Sequence, residues 1–378
     1  MRVRSLISRV KVAAVAGVAL SALVLAACGS STPSASSGKS SSSGAQSQAA
    51  DVTSLLTRPT TFTVPSLPSK PPTGKTVDFM ACGVPVCQNM GQFVKQAAQA
   101  LGWNFQEIQE GETPQTVSSA YDQAVRNDPA GVVGSGGFSA SLMSHQLQQL
   151  KAEGSTAVLV DVPSAGNATA VVLSSSTQAT YGKEMGEWIV NNAHGKDAHV
   201  GIMTSPATPI YAAAHQALAN VLSSSCKGCT TTTYTFPYTD VGTTLPTKVV
   251  TFLTSHPSIN YLFFDFSNEV DGVPAALQAA GLSHRVKIVT TDDTATETPY
   301  LTQGQESASA GIAWPEMLWG AVNIIVRNTM HLPLAPALDI QYPNMILTGS
   351  NLPAAASTGM FPLVASYQSI YKTAWHLQ

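Results

Sequence analysis

The chain has 378 residues, 44% of them apolar and 11% charged, with 19 Lys and Arg against 22 Asp and Glu for a formal charge of −3. Four of the basic residues and none of the acidic ones precede residue 28, so the remainder carries 15 against 22, a net −7. No Lys/Arg stripe or cluster stands out in that remainder, so the electrostatic footprint of a nucleic-acid binder is missing and no nucleic-acid partner is expected.

At the amino end, Arg2, Arg4, Arg9 and Lys11 are followed by an apolar run from Val12 to Leu25 and then by Leu25-Ala26-Ala27-Cys28. That is the layout of a secretory signal, and its last four residues look like a bacterial lipobox, in which Cys28 is diacylated and becomes the first residue of the mature chain. The apolar run is shorter than the roughly 20 residues a spanning helix needs. Residues 1–27 are therefore expected to be a lipoprotein signal peptide. Residues 28–75, Ser-rich and then Pro-rich through Pro59, Pro65, Pro68, Pro71 and Pro72, are expected to be a flexible and then semi-extended tether. The expected location is the extracytoplasmic face of the cell membrane, held by lipid.

Some 300 residues follow, enough for two domains with cores of their own. Strand-like runs start near residues 77, 104, 131 and 156. Between the first two, Met90, Phe93, Val94, Ala97 and Leu101 fall on one helix face. Helical patterns through Val117, Tyr121, Ala124 and Val125, and through Leu142, Met143, Leu147 and Leu150, separate the others. The alternation predicts parallel strands joined by helical crossovers. The register restarts near His199, Thr230, Ile259 and Val286. Two four-unit sets predict two similar lobes. A single eight-stranded barrel has the same number of units, but residues 169–192 insert an extra strand-like run and a long helix between the sets. Beyond them, residues 307–312 and 341–348 read as strands and 315–328 as a helix, with Pro315 suited to the first turn. Passages near 193–197, 311–314 and 338–341 predict a three-stranded hinge. Tyr367, Ile370, Tyr371 and Trp375 predict a last helix, packed on the second lobe.

Besides Cys28, the cysteines are Cys82, Cys87, Cys226 and Cys229, an even set in a chain read as exported. Four cysteines allow three pairings, and sequence does not choose among them; the two local pairs are the working expectation. The Cys226–Cys229 spacing also suits a redox dithiol or half a zinc site, but no second such pair or nearby His pair accompanies it.

Several short stretches, in order, make the chain resemble the type I periplasmic binding proteins, specifically the sugar-binding family of ABC importers. They are Gly102-Trp103-Asn104-Phe105, Asp161 at a strand end, residues 181–186 (YGKEMG), Asn268-Glu269 before residues 275–281 (AALQAAG), and residues 289–293 (VTTDD). The resemblance runs from about Thr76 to Pro353. It implies an α/β fold of two Rossmann-like lobes, 76–194 plus 314–338 and 195–313 plus 339–378. A small polar ligand is expected in the cleft at the carboxyl ends of the strands, with closure about the hinge and ABC permease subunits as partners of a monomer. The ligand positions it implies are Gln88, Asn89, Phe138, Asp161, Tyr211, Phe266, Asn268, Asp292 and Trp314. An Asp at a strand end is also suited to capping a helix. Where the family has an arginine at the start of the second lobe's first helix, this chain has Tyr211 or His215. A polar position aligns with Phe266, and the hinge Gln falls at Ala313 beside Trp314. Phe138, Phe266 and Trp314 read either as a stacking cage or as core, the commoner fate of such residues.

An enzyme requires a catalytic constellation, and no GxSxG, HExxH, GxxxxGK[ST] or GxGxxG motif occurs in a fitting context. Gly134-Ser135-Gly136-Gly137 reads as a cleft loop rather than a phosphate cradle. The eight His are scattered, with no metal-ligand spacing, and no cofactor is expected. A ligand-sensing receptor feeding a membrane kinase, and a surface-tethered hydrolase using Asp292 or Asp293, are the alternatives to an importer's receptor.

Overall fold

The computed structural model describes residues 51–82, 85–111, 113–136, 138–292, 298–353, 356 and 360–377. The signal peptide, Cys28, the tether up to residue 50, Gly137 and Asp293 lie outside the described residues.

In chain order the elements of the first half are β1 (Thr76–Cys82), α1 (Pro85–Leu101), β2 (Asn104–Gly111), α2 (Pro114–Asn127), β3 (Gly131–Gly134), α3 (Ser144–Ala152), β4 (Thr156–Leu159), β5 (Ala170–Val171) and α4 (Ser175–Asn192). Then come β6 (His199–Thr204), α5 (Ala212–Ser225), β7 (Thr230–Thr235), α6 (Leu245–Ser255), β8 (Tyr261–Phe264), α7 (Val273–Ala279), β9 (Lys287–Thr291) and α8 (Thr298–Thr302). The chain ends with β10 (Ala308–Gly311), α9 (Trp314–Thr329), α10 (Ala335–Leu338), β11 (Met345–Leu347) and α11 (Tyr367–Ala374). The five-stranded sheet has order β2-β1-β3-β4-β5 and the six-stranded sheet β11-β10-β9-β8-β6-β7. Every pairing is parallel except that of β10 with β11. The arrangement β2-β1-β3-β4 in one lobe repeats as β7-β6-β8-β9 in the other, so the two restarting registers are two equivalent half-folds.

Local chemistry sets the elements. On α1, Met90, Val94, Ala97 and Leu101 are buried on one face, as their 3.6-residue spacing requires. The α2 helix starts where Pro114 follows Thr113, whose hydroxyl accepts from the Thr116 amide at 3.2 Å. Strands β3, β4 and β8 are buried along their whole length, the mark of parallel strands covered on both faces.

The lobe boundaries differ from expectation in three places. Helix α4 packs along α5 and against β9 and β10, so it belongs to the second lobe, and the first passage lies at residues 172–174 rather than 193–197. The cause is its small-residue face: a Cβ on Gly182 would fall 2.1 Å from the Ala214 carbonyl oxygen, so only glycine lets α5 approach this closely. Helix α9 packs on α1, β3 and β4 of the first lobe, and α11 packs on α9 and not on the second lobe. There Trp375 stacks on Trp319 with centroids 5.4 Å apart and planes 3° apart, and its indole N–H donates to Asn323 at 2.9 Å. The chain thus passes between lobes a fourth time, after β11.

The third difference is in the expected tether. Residues 51–75 lie against the folded body, with Val52, Val64 and Leu67 buried. The Leu55 carbonyl accepts from Ile346 of β11 at 2.7 Å, the Pro65 carbonyl from Arg327 of α9 at 2.7 Å, and the Pro72 carbonyl from Trp103 at 2.7 Å. The prolines of this segment lack amide donors, but its carbonyls serve as acceptors for both lobes.

Both local disulfides are closed, Cys82 with Cys87 and Cys226 with Cys229. The first ties the end of β1 to α1.

Candidate functional site

The carboxyl ends of the strands of both lobes carry the polar residues of the site. The fourth strand of each lobe ends in the same way. Asp161 follows β4 with φ of 55° and Asp292 follows β9 with φ of 60°, both in the left-handed region. Non-glycine residues enter that region rarely, Asp and Asn most readily, and such conformations cluster at binding sites. Asp161 does not cap α4, whose N-cap is Ser174. Gly136 closes on it from the β3 loop; a Cβ there would meet the Asp161 carbonyl at 2.8 Å. Ser135 in the same loop donates to the Met80 carbonyl at 2.6 Å and accepts from Cys82, tying β3 to β1.

The two carboxylates share surroundings. Both act on the Tyr211 hydroxyl, whose acidity burial, then Asp161, Asp292, Asp265 and Glu269, suppress well beyond the usual tyrosine. Tyr181 on α4 is suppressed likewise, by burial first and then by Glu184, Asp292, Glu316 and Asp161. Burial pushes the Asp161 carboxyl up to about 6, an effect tempered by the Gln178 side chain. Gln178 is fully buried beside Asp161, and the Tyr181 hydroxyl meets no partner in hydrogen-bonding geometry. Asp292 differs: one of its oxygens accepts from the Trp314 indole N–H at 2.6 Å.

On the second-lobe side, Tyr211 stacks on Phe266 with centroids 5.6 Å apart, and Tyr238 leans on the other flank of Phe266 at 5.9 Å. Beneath them Asp265, fully buried, bonds His215 and accepts from Thr208 at 3.0 Å and Thr204 at 3.2 Å. Glu269, fully buried, accepts from the Asp265 amide at 3.0 Å; burial and the Asp265 charge push its carboxyl well above the usual range. Asn268 donates to the Tyr238 hydroxyl at 3.3 Å.

The structure therefore brings Asp161, Tyr211, Phe266, Asn268, Asp292 and Trp314 into one connected group. Gln88 and Asn89 are exposed on the first turns of α1, and Phe138 is half-buried against the first-lobe core. Among the described residues no hydrogen bond or ring contact ties these three to the group. Phe138, Phe266 and Trp314 do not form one cage: Phe266 joins Tyr211 and Tyr238, and Trp314 serves Asp292. Sequence reasoning missed Gln178, Tyr181 and Tyr238. Gln178 and Tyr181 lie three apart on the second-lobe helix, on one face, and that spacing was the available signal. Among the described residues no group of His, Cys, Asp and Glu is placed to hold a metal ion. None of their helices is long and apolar enough to cross a membrane. A pocket of about 410 Å³ is lined by residues from 171–180 and 337–344 together with Met317 and Ile324.

Two equivalent α/β half-folds with buried polar residues converging from both at the strand ends define a two-lobed solute-binding protein. The family described as periplasmic binding protein domain matches residues 81–329, and the chain belongs to it. Its fold is shared by a glucose-galactose binding protein from Geobacillus stearothermophilus, with TM-score 0.63 and 14% identity over 75% of this chain and 100% of that one. A periplasmic ribose ABC transporter from Conexibacter woesei gives TM-score 0.62 and 16% identity over 74% and 94%. An ABC transporter solute binding protein from Agrobacterium vitis with bound allitol gives TM-score 0.62 and 13% identity over 80% and 99%. No curated protein sequence matches the chain.

Proposed function

We propose that the chain is an extracytoplasmic receptor that takes a small polar solute, of the sugar, polyol or related class, into the interlobe cleft and presents it to an ABC importer. The observation that carries this is the matched pair of left-handed aspartates, one per lobe, whose charges meet on Tyr181 and Tyr211. Carboxylates fixed this way accept hydrogen bonds from hydroxyls, and the Tyr211–Phe266 stack offers a ring face to the apolar side of the same solute. The fold neighbours named for glucose and galactose, for ribose and for allitol support the solute class. Cys28, lipidated after removal of residues 1–27, anchors the receptor to the outer face of the membrane. The receptor binds without turnover, as a monomer.

Thermal-shift screening against sugars, polyols, nucleosides and amino acids tests this. A true ligand at a hundredfold excess over its Kd stabilises by about 2.7 kcal/mol. Product formation from a glycoside panel in place of reversible stabilisation would overturn it in favour of a hydrolase.

A further inference from the structure

The pocket of about 410 Å³ is distinct from the strand-end group: none of Asp161, Tyr211, Phe266 and Asp292 lines it. Its lining comes from both lobes, and the two contributions differ in chemistry. The N-cap and first turns of the second-lobe helix α4 contribute Ser174, Ser176, Thr177 and Thr180. From the first-lobe side come Met317 and Ile324 of α9 and Ala337 of α10, all almost fully buried. Leu338, also in the lining, is 49% exposed, one of three large apolar side chains left exposed among the described residues. The hydroxyls are not saturated by their own contacts. Thr180 donates to the Ser176 carbonyl at 3.4 Å and Thr177 accepts from the Ser174 amide at 3.4 Å. A hydroxyl has one donor and two acceptor sites, so each keeps bonding capacity for a ligand.

Among the described residues that line the pocket, none is Asp, Glu, Lys, Arg or His. A charged group entering it would lose hydration and meet no countercharge. An apolar face would instead cover Met317, Ile324 and Leu338, and a hydroxyl on the opposite edge would bond the threonines of α4. The volume falls within the range of small-molecule sites, roughly 300–1,000 Å³. We propose that this pocket is a second binding site, for an uncharged amphipathic ring compound whose apolar face lies on α9 and α10 and whose hydroxyl edge lies on α4. Its occupant touches both lobes beside two of the passages between them, at residues 172–174 and 340–344.

The test is methyl-detected NMR on the full chain, following Met317, Ile324 and Leu338, with cyclohexanol and benzyl alcohol as probes. Each alcohol is compared with an amine and a carboxylate of like shape: cyclohexylamine and cyclohexanecarboxylate, benzylamine and benzoate. At least one alcohol is expected to shift these methyls saturably and to bind about tenfold or more tightly than either charged counterpart. Thr180 is exposed, so Thr180→Trp fills the pocket without touching the core and should weaken binding about tenfold. Leu338→Ser, also at an exposed position, should weaken it roughly threefold. Melting curves check that both variants fold. No saturable shift with either alcohol, equal binding of a charged counterpart, or wild-type binding in Thr180→Trp overturns the site. A probe whose binding is lost in Asp161→Asn and unchanged in Thr180→Trp sits in the cleft, and it overturns the site as well. All of these outcomes leave the receptor reading standing, because the strand-end residues take no part in this pocket.

Discussion

The two lobes end their fourth strands identically and use the ends differently. Asp161 and Asp292 occupy equivalent positions with φ values of 55° and 60°. Asp292 is committed to Trp314 across the passage at 312–313, and its lobe surrounds it with the Tyr211–Phe266–Tyr238 stack and the His215–Asp265 pair. Asp161 lies among Gln178, Tyr181 and Gly136, with the Gln178 side chain tempering the effect of burial on its carboxyl. One backbone device thus holds an indole in the second lobe and sits beside a buried amide in the first.

The largest expected effect of a single substitution tests whether α4 belongs to the second lobe. Gly182→Ala places a methyl 2.1 Å from the Ala214 carbonyl, a clash only separation of α4 from α5 relieves. It should destabilise by about 3 kcal/mol or more in denaturant titration. A change below about 1 kcal/mol would mean that the two helices do not touch there. Next comes the aspartate pair itself. Asp292→Ala and Asp161→Ala share the same left-handed strain, on the order of 1 kcal/mol. Only the former also orphans a buried indole N–H, at about 1–3 kcal/mol more. Equal losses in the two variants would erase the distinction between the two strand ends.

The alternation of β and α and the helical faces were legible because buried parallel strands and amphipathic helices are written in local apolar spacing: β2 begins at Asn104, β6 at His199 and β7 at Thr230, where the pattern put them. The expected strand-end aspartates do lie at the ends of β4 and β9. Lobe membership was not legible, because it depends on which distant surface a helix finds. For α4 the decision lies in Gly182 meeting Ala214, and for α11 in Trp375 meeting Trp319. Nor does composition tell a packed Pro-rich segment from a free one, since both are extended. The split of the aromatics into a Tyr211–Phe266–Tyr238 stack and a Trp314–Asp292 bond likewise needs three dimensions.

A pH effect summed over two carboxyls probes the crossing between lobes, where Glu184 on α4 and Glu316 on α9 flank Tyr181. Burial raises each carboxyl to about 7; the Asn344 amide lowers the first somewhat, and backbone amides near Val364 lower the second. A carboxyl raised above its unfolded value of 4.5 binds more protons in the native state between the two values. Its contribution is therefore full below about pH 4.5 and lost as pH rises through 7. Unfolding free energy should fall by up to about 5 kcal/mol between pH 5 and 8, about 2.5 from each carboxyl. Glu184→Gln combined with Glu316→Gln should flatten that slope; a slope unchanged in the double variant would place its origin elsewhere.

The smallest effect concerns residues 51–75, which touch both lobes. Arg58 donates to the Leu363 and Pro362 carbonyls at 3.0 and 2.9 Å, and Phe62 meets the Tyr371 ring edge-on at 5.8 Å. Arg58→Ala removes two solvent-accessible hydrogen bonds and should cost about 1 kcal/mol, a melting shift of about 2–4 °C at most. Because Leu55 bonds β11 of the second lobe while Pro65 bonds α9 of the first, the segment loses one set of bonds if the lobes part widely. Hydrogen exchange reads this directly. The Ile346 amide, which donates to Leu55, should be protected and should become more so when ligand holds the lobes together. Fast exchange at Ile346 in both states would return residues 51–75 to the role of a free tether.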